Sequence, residues 1–225
     1  MRLMQKSFMK KIFTIIAIVC LAISVQAQKT VSAANAQKRD VKSFHSLDVS
    51  SGIKVLLTKG NEEALAVAAG DPAYLDYIET TVSNGVLKIT RNQDWKFWNQ
   101  WKNWNVTVYL SYTNLKSIKA SSGANITGDN LSFVDLDVKM SSGAFAELEG
   151  RSDNLSVDAS SGAMFKGYEL TSTKCMAETS SGAGIQVNVA KELNARASSG
   201  GSIRYKGEGL IRDIKVGSGG TVKRQ

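Results

Sequence analysis

The chain has 225 residues, of which 43% are hydrophobic, 19 are glycine and one is proline. Together with its short runs of Val, Ile, Thr and Ser, this composition indicates an ordered, mostly β protein large enough for one domain. The formal charge of +8 falls to +4 when the four basic residues of positions 1–27 are removed. So mild a basicity does not indicate nucleic acid as a partner.

Residues 1–27 have the pattern of a secretory signal. Lys10 and Lys11 precede an apolar stretch, and a small-residue cleavage motif ends it at Ala27. The stretch is too short for a membrane span, and no later segment approaches the roughly 20 apolar residues that a transmembrane helix needs. We therefore expect an exported protein without a transmembrane span, located in the periplasm, on the outer surface or in the medium.

The two cysteines are not expected to pair with each other. Cys20 lies inside the apolar stretch and fits a lipoprotein cleavage box poorly, so lipidation is the less favoured alternative. Cys175 is then the single thiol of the exported chain, which has to be stabilised by its core instead of a disulfide. We expect residues 28–40 to be a flexible N-terminal segment and residues 41–225 to form the folded domain.

A Ser-Ser-Gly turn recurs along the folded domain, and its last copy is degenerate. After a first gap of 71 residues the spacings between the glycines are 20, 19, 20, 18 and 19. So regular a period predicts stacked coils, and the fold class expected is all-β, a parallel β-helix or β-solenoid with coils of about 19 residues. The glycines of the seven turns are Gly52, Gly123, Gly143, Gly162, Gly182, Gly200 and Gly219.

Residues 53–113, between the first two turns, need a separate interpretation. Three runs there have strand character, and Pro72 early in a short polar stretch is typical of a helix start. We predict an inserted β-rich subdomain that caps one end of the solenoid, with regular coils over residues 114–225. The three strand-like runs are Leu65–Ala69, Val86–Thr90 and Val106–Leu110.

All four tryptophans lie within this part of the chain, spaced by three residues. Exposed indole rings and neighbouring amides are suited to stacking on and hydrogen bonding a sugar, so this segment is the candidate ligand site. A partner protein would use the same side chains. The spacing also favours packing of the rings on the flank of the solenoid, and anchoring at a membrane interface is a third alternative. The candidate residues are Trp95, Trp98, Trp101, Trp104, Asn99 and Gln100.

Alignment of the turns on their glycines predicts which side chains face the core. The rows three and five residues before the glycine, and three after it, are almost wholly apolar, which indicates inward-facing positions. Cys175 aligns with Leu136, Leu155 and Leu193, so a buried thiol is expected. The serine directly before each glycine has the same parity, which predicts an inward hydroxyl ladder.

The row four residues before each glycine is charged in every coil. If coils stack in register, Lys139 lies beside Asp158, and Glu178 beside Arg196, at roughly 4.8 Å. We interpret this row as a solvated ladder of weak ion pairs, not as a catalytic cluster. Its members are Asp48, Lys119, Lys139, Asp158, Glu178, Arg196 and Lys215.

The residues needed for common catalytic and metal sites are scarce. His45 is the one histidine, and it is expected to be an exposed strand residue instead of a general base for a serine nucleophile. His45 and Cys175 cannot build a four-ligand zinc site. We expect no catalytic residue, no metal and no cofactor.

Four stretches of the chain carry a resemblance to a known family. They run from Ser43 to Val55 (Ser-Phe-His-Ser-Leu-Asp-Val-Ser-Ser-Gly-Ile-Lys-Val), from Tyr74 to Thr80, from Asn84 to Ile89, and from Asn114 to Ala124. The chain over residues 41–223 resembles the bacterial family "putative auto-transporter adhesin, head GIN domain". The resemblance implies an exported cell-envelope protein built of stacked parallel β coils.

Two functions follow from these features. The favoured one is a non-enzymatic, adhesin-like interaction protein that binds a glycan or a surface protein. The alternative is a polysaccharide-active lyase or hydrolase, for which Asp135, Asp137 and Asp158 are the best carboxylate candidates, although their rows are not consistently acidic. Oligomeric state is left open, and the coil near residues 216–222 offers an edge to another chain.

Overall fold

The computed structural model describes residues 36–92 and 105–225, and within these ranges the chain forms fifteen strands and one 3₁₀ helix. The predicted signal, residues 1–27, lies outside the described residues. The 3₁₀ helix spans Pro72–Tyr77. The strands are β1 Gln37–Arg39, β2 Ser46–Val49, β3 Lys54–Lys59, β4 Ala64–Ala69, β5 Ile78–Ser83, β6 Val86–Arg91, β7 Val106–Tyr112, β8 Ser117–Ala120, β9 Asn125–Met140, β10 Phe145–Ala159, β11 Met164–Thr179, β12 Gly184–Ala197, β13 Ser202–Lys206, β14 Leu210–Val216 and β15 Thr221–Arg224.

The predicted fold class is confirmed: the strands stack in parallel, coil upon coil, as a β-solenoid. Segments that precede the Ser-Ser-Gly turns form one stack with β6, which we call the leading face, in the order β6, β2, β8, the C-terminal halves of β9 to β12, and β14. Segments that follow each turn form the trailing face, in the order β7, β3, the N-terminal halves of β9 to β12, β13 and β15.

The register of the stacks confirms the predicted inward rows. Leu136, Leu155, Cys175 and Leu193 pair successively across four coils, and each is at most 2% exposed. The row three residues after the glycine is buried from Val55 to Ile203. Because every coil repeats the same alternation, the side chains of neighbouring coils pack into one continuous core.

The Ser-Ser-Gly segments form tight turns whose detail differs from the prediction. In Ser121–Ala124 the two central residues have φ of 52° and 73°, and the Ala124 amide donates to the Ser121 carbonyl at 3.1 Å, which defines a type I′ turn. Ser122 is exposed, so the predicted inward orientation is wrong. The alternation of sides holds for extended backbone only, and two successive left-handed residues interrupt it.

A main-chain ladder, not a hydroxyl ladder, links one turn to the next. The amides of five turn glycines each donate to the carbonyl of the serine before the next glycine, at 2.9 Å from Gly52 to Ser122 and 3.1 Å from Gly123 to Ser142. The pattern repeats through Gly143, Gly162 and Gly182. Each turn therefore satisfies its polar backbone groups by stacking on its neighbour.

Strands of the segment 53–113 belong to the same sheet as the regular coils. The three predicted strand runs are confirmed within β4, β6 and β7, and Asp71 caps the 3₁₀ helix by accepting from the Ala73 amide at 2.9 Å. Strands β6 and β7 extend the two faces in parallel register, whereas β5 and β4 close them off by antiparallel pairing. That end of the solenoid is thereby covered.

Residues 37–39, part of the segment expected to be flexible, form β1 and pair antiparallel with β4. Arg39 fixes this strand, because its guanidinium donates to the carbonyls of Leu75, at 2.6 Å, and Ile78. Desolvation by burial lowers the pKa of Arg39, partly offset by the charge of Asp76. The contacts of one side chain thus join β1 to the 3₁₀ helix and β5.

Candidate binding site

The outward side chains of the leading face form a grid of three rows. Within a strand, every second residue points outward, and the in-register pairing places equivalent residues of successive coils beside each other. The first row is Asp135, Asn154, Lys174 and Glu192; the second is Asp137, Ser156, Met176 and Asn194; the third is the charged row that begins with Lys119 and Lys139.

The first two rows, together with Lys116, line an open groove with a volume of about 350 Å³ that crosses four coils. Its walls carry carboxylate, amide, hydroxyl and ammonium groups, and Met176, 47% exposed, lies between Ser156 and Asn194. Successive coils are separated by about 4.8 Å, so the groove repeats its hydrogen-bonding groups at that interval. Such a surface suits an extended ligand that lies along the solenoid axis.

Neighbouring side chains of the groove already hold one another in place. Asn154 Nδ2 donates to Asp135 Oδ1 at 2.8 Å, and the Lys174 ammonium lies 3.8 Å from Glu192. Asp137 Oδ2 lies 3.8 Å from the Lys139 ammonium, while its Oδ1 is buried and accepts no hydrogen bond from the described residues. The groove is therefore pre-formed by contacts between coils, with one acceptor unsatisfied.

The third row confirms the predicted register and modifies the predicted ion pairs. Glu178 lies beside Arg196, with Oε1 and the guanidinium 3.0 Å apart. Lys139 lies beside Asp158 as expected, yet its ammonium pairs with Asp137 on its own strand. These side chains are largely exposed, so each pair contributes little to stability.

Of the three carboxylates considered for catalysis, two share the groove. Asp135 and Asp137 both line it, whereas Asp158 lies in a neighbouring depression with Glu178, Arg196 and Lys215. His45 is exposed, and its Nδ1 is 3.0 Å from Ser46 Oγ. Within residues 36–92 and 105–225 no three His, Cys, Asp or Glu side chains are arranged to hold a metal ion.

Cys175 is the buried thiol that its row predicted. It is 2% exposed, and desolvation by burial raises its pKa to about 12, although a hydrogen bond with the Ser172 side chain lowers the pKa in part. The reactive form of cysteine is the thiolate, which this environment disfavours. Cys175 therefore contributes to the core below the groove and supplies no nucleophile to it.

Burial of Cys175 makes the stability depend on pH. The folded-state pKa is raised above the ordinary value of 9.0, so the stabilisation is complete below pH 9.0 and is lost as pH rises towards 12. Between about pH 8 and about pH 10 we expect the wild type to lose about 1.4 kcal/mol more than Cys175→Ala. Urea unfolding of both proteins at the two pH values measures this difference. Parallel losses in the two proteins would contradict it.

The tryptophan segment lies between β6 and β7 in the sequence. The six predicted site residues, Trp95 to Trp104 with Asn99 and Gln100, lie outside the described residues. Ile89 pairs with Val49 and Thr107 with Lys54, so residues 90–106 connect positions that the four residues 50–53 connect in the adjacent coil. The segment thus stands in the chain where the other coils have a Ser-Ser-Gly turn.

The groove residues Asn154, Lys174, Met176, Glu192 and Asn194 were not predicted as a site. They occupy the rows six and eight residues before the glycine, which the same alignment contains. The rows mix charged, amide, hydroxyl and thioether side chains, so no repeated residue type indicates them. Only the stacking of the coils brings the five side chains to one surface.

The chain is similar to proteins of a known family and to solved structures. The family model described as "Putative auto-transporter adhesin, head GIN domain" matches residues 43–209. The chain belongs to this family. The predicted resemblance is thereby confirmed for most of the sequence. No protein of curated function matches the chain.

Two crystal structures resemble this chain in fold at low sequence identity. A "putative adhesin" from Bacteroides fragilis is 17% identical, covers 84% of this chain and 96% of its own, and superposes with a TM-score of 0.67. A "putative adhesin" from Parabacteroides merdae is 16% identical, with coverage of 85% and 95% and a TM-score of 0.50. At such identities the likeness concerns the fold alone. Among the described residues, no helix has the length and hydropathy needed to cross a membrane.

Proposed function

We propose that this head GIN protein is an exported, non-enzymatic protein of the cell envelope that binds an extended surface ligand, with a glycan favoured over a protein. The observation that supports the proposal is the open groove of the leading face, which crosses four coils and offers mixed hydrogen-bonding groups. A polyhydroxylated chain can both donate to and accept from such groups. Exposed Met176 offers an apolar contact for the C–H face of a sugar ring.

The tryptophan segment is the second part of the proposed site. Its attachment points, Asn92 and Asn105, are fixed to the covered end of the solenoid: the Asn92 amide donates to the Tyr77 carbonyl at 2.8 Å, and the Gly70 amide donates to the Asn105 carbonyl at 3.0 Å. Trp98, Trp101 and their neighbours would supply the large stacking surfaces that the groove lacks. Indole rings are the side chains most often found to dominate binding energy.

A polysaccharide-active enzyme is the second candidate, because Asp135 and Asp137 share the groove. A glycosidase needs one carboxyl group as an acid and a second as a base or nucleophile, both free to reach the scissile bond. Here Asp135 accepts from Asn154, and Asp137 pairs with Lys139. Both carboxylates take part in holding the groove together, which favours binding over turnover.

Binding to a glycan array by the exported chain tests the proposal. Replacing Trp98 and Trp101 with alanine is expected to weaken binding of the glycan identified by about tenfold or more, because the stacking surface is removed. Asp158→Asn, which lies outside the groove, is the matched control and should leave affinity within about twofold, since the amide keeps the side-chain shape. Unchanged binding by the tryptophan variant would refute this assignment of the site.

Polysaccharide degradation is measured beside binding. Release of reducing sugar by the wild type, abolished by the paired Asp135→Asn and Asp137→Asn changes in the groove, would refute the non-enzymatic function. Asn cannot transfer a proton as an acid or base, so this variant removes any turnover that depends on the two carboxylates. We expect no release of reducing sugar by the wild type.

A further inference from the structure

Among the described residues, core positions of the solenoid are exposed at the end formed by β14 and β15. Ile211, Ile214 and Val216 pair with Leu193, Ala195 and Ala197, which are at most 2% exposed, and a β-bulge at Arg212 shifts the register between Ile211 and Asp213. In β14 the corresponding side chains are 48%, 37% and 53% exposed, and Leu210 is 64% exposed. Four of the seven large apolar side chains exposed in the described chain therefore lie on one strand. So concentrated an apolar surface is typical of an interface.

The backbone of β14 also offers an edge for pairing. One edge pairs with β12, and no strand within residues 36–92 and 105–225 pairs with the other. Edge strands of this kind, without proline, readily add a further strand. The opposite end of the solenoid differs, because β4 and β5 close it by antiparallel pairing and β1 covers β4.

We propose that β14 pairs antiparallel with β14 of a second copy, so that two solenoids join end to end about a two-fold axis at Ile214. Directly opposite residues of an antiparallel pair point to the same side of the sheet. With Ile214 opposite its own copy, the inward sides of both strands coincide from Asp213 to Lys215, and the two cores become continuous around Ile214. The joined surface then buries the apolar side chains that a single copy exposes.

The charges of Asp213 and Lys215 favour this register over the registers centred on the adjacent residues. With Ile214 at the centre, Asp213 lies opposite Lys215 of the second copy, and the same pair forms again by symmetry. A centre at Asp213 or at Lys215 would instead place like charges opposite each other, which is destabilising. In a single copy the Lys215 ammonium and Asp213 Oδ2 are 3.4 Å apart along the strand, so both side chains already lie on the outer surface.

Both copies use the same strand in the contact, so the assembly is a symmetric dimer that does not grow further. A head-to-tail stack would need an open edge at the β6 and β7 end, which β5 and β4 occupy. A two-fold contact uses the same patch on both copies and leaves no further edge of β14. Each dimer then carries two leading-face grooves, which would strengthen attachment to a repetitive surface if the proposed function holds.

Sedimentation equilibrium of the exported chain over a range of micromolar concentrations tests the dimer. We expect a monomer–dimer equilibrium that Asp213→Lys weakens at least tenfold, because the introduced ammonium would face Lys215 of the other copy. The exchange variant Asp213→Lys with Lys215→Asp restores opposite charges and should recover dimerisation to within a few-fold. Recovery by exchange is a result that a merely destabilised strand would not produce.

Lys139→Asp, on the same face but distant from β14, serves as the control and should leave dimerisation unchanged. Ile214→Lys should give a monomer whose far-ultraviolet circular dichroism matches that of the wild type. A monomeric wild type across the whole range would overturn the proposal. So would an open-ended polymer, or a dimer in which the Asp213→Lys and exchange variants behave alike. Glycan affinity measured per groove on a monomeric variant tests the proposed function separately.

Discussion

Replacing Phe165 with alanine is expected to lower the free energy of unfolding by about 3–5 kcal/mol. Phe165 is 0% exposed and lies in the inward row between Ala146 and Ile185. Its small neighbour Ala146 leaves the space that the ring fills, and the ring also lies against Gly167, where an added Cβ would meet Phe165 Cε1 at 2.6 Å. Removing the ring leaves a cavity that stacked strands cannot close without breaking register.

The cost of this cavity is measured by urea unfolding with two probes. Met164→Ala is the matched control, because Met164 precedes Phe165 on the same strand but is 36% exposed on the outer side. We expect the control to cost less than about 1 kcal/mol. Equal losses from the two substitutions would show that position in the strand, and not burial, determines stability here.

Gly150→Ala is expected to destabilise the protein by about 3 kcal/mol or more. Gly150 has φ of 134° and pairs with Leu131 of the preceding coil. An added Cβ would stand 2.1 Å from the Leu131 carbonyl oxygen and 2.6 Å from its nitrogen. Both are backbone atoms of the β9 and β10 ladder, so neither can move aside without loss of inter-coil hydrogen bonds.

Gly143→Ala separates the two causes of this effect. Gly143 also has positive φ, 70°, but an added Cβ there would meet nothing within 4 Å. Its substitution carries only the cost of the left-handed conformation, about 1 kcal/mol. In thermal unfolding, the melting temperature of Gly150→Ala should therefore be well below that of Gly143→Ala. Similar melting temperatures would argue against the inter-coil contact as the cause.

The predictions made from the sequence agree best with the structure for the inward rows. Leu136, Leu155, Cys175 and Leu193 are recognisable because each coil repeats the same alternation at a constant distance from its glycine. A period is a property of the sequence, and stacking preserves it. The same argument predicted that Glu178 lies beside Arg196, which the register confirms.

Agreement ends where the backbone departs from an extended conformation. Ser142 shares the parity of its buried neighbours in the sequence, yet its φ of 52° directs the side chain to solvent. Ser-Ser-Gly at this point forms a type I′ turn, whose two left-handed residues break the alternation of sides. The hydroxyl ladder inferred from parity is replaced by a ladder of main-chain hydrogen bonds between turns.

The solenoid, its period and its buried rows can be predicted from the sequence alone, because each depends on a repeat that is present in every coil. Which irregular residues share a surface is visible only in the folded chain. Asp135, Asn154, Lys174 and Glu192 are far apart along the chain and differ in type, and stacking places them in one groove. The tertiary structure also shows that β4 and β5 close one end of the solenoid and that β14 keeps an unpaired edge among the described residues. Pairing between strands that are distant in the chain depends on their register in three dimensions.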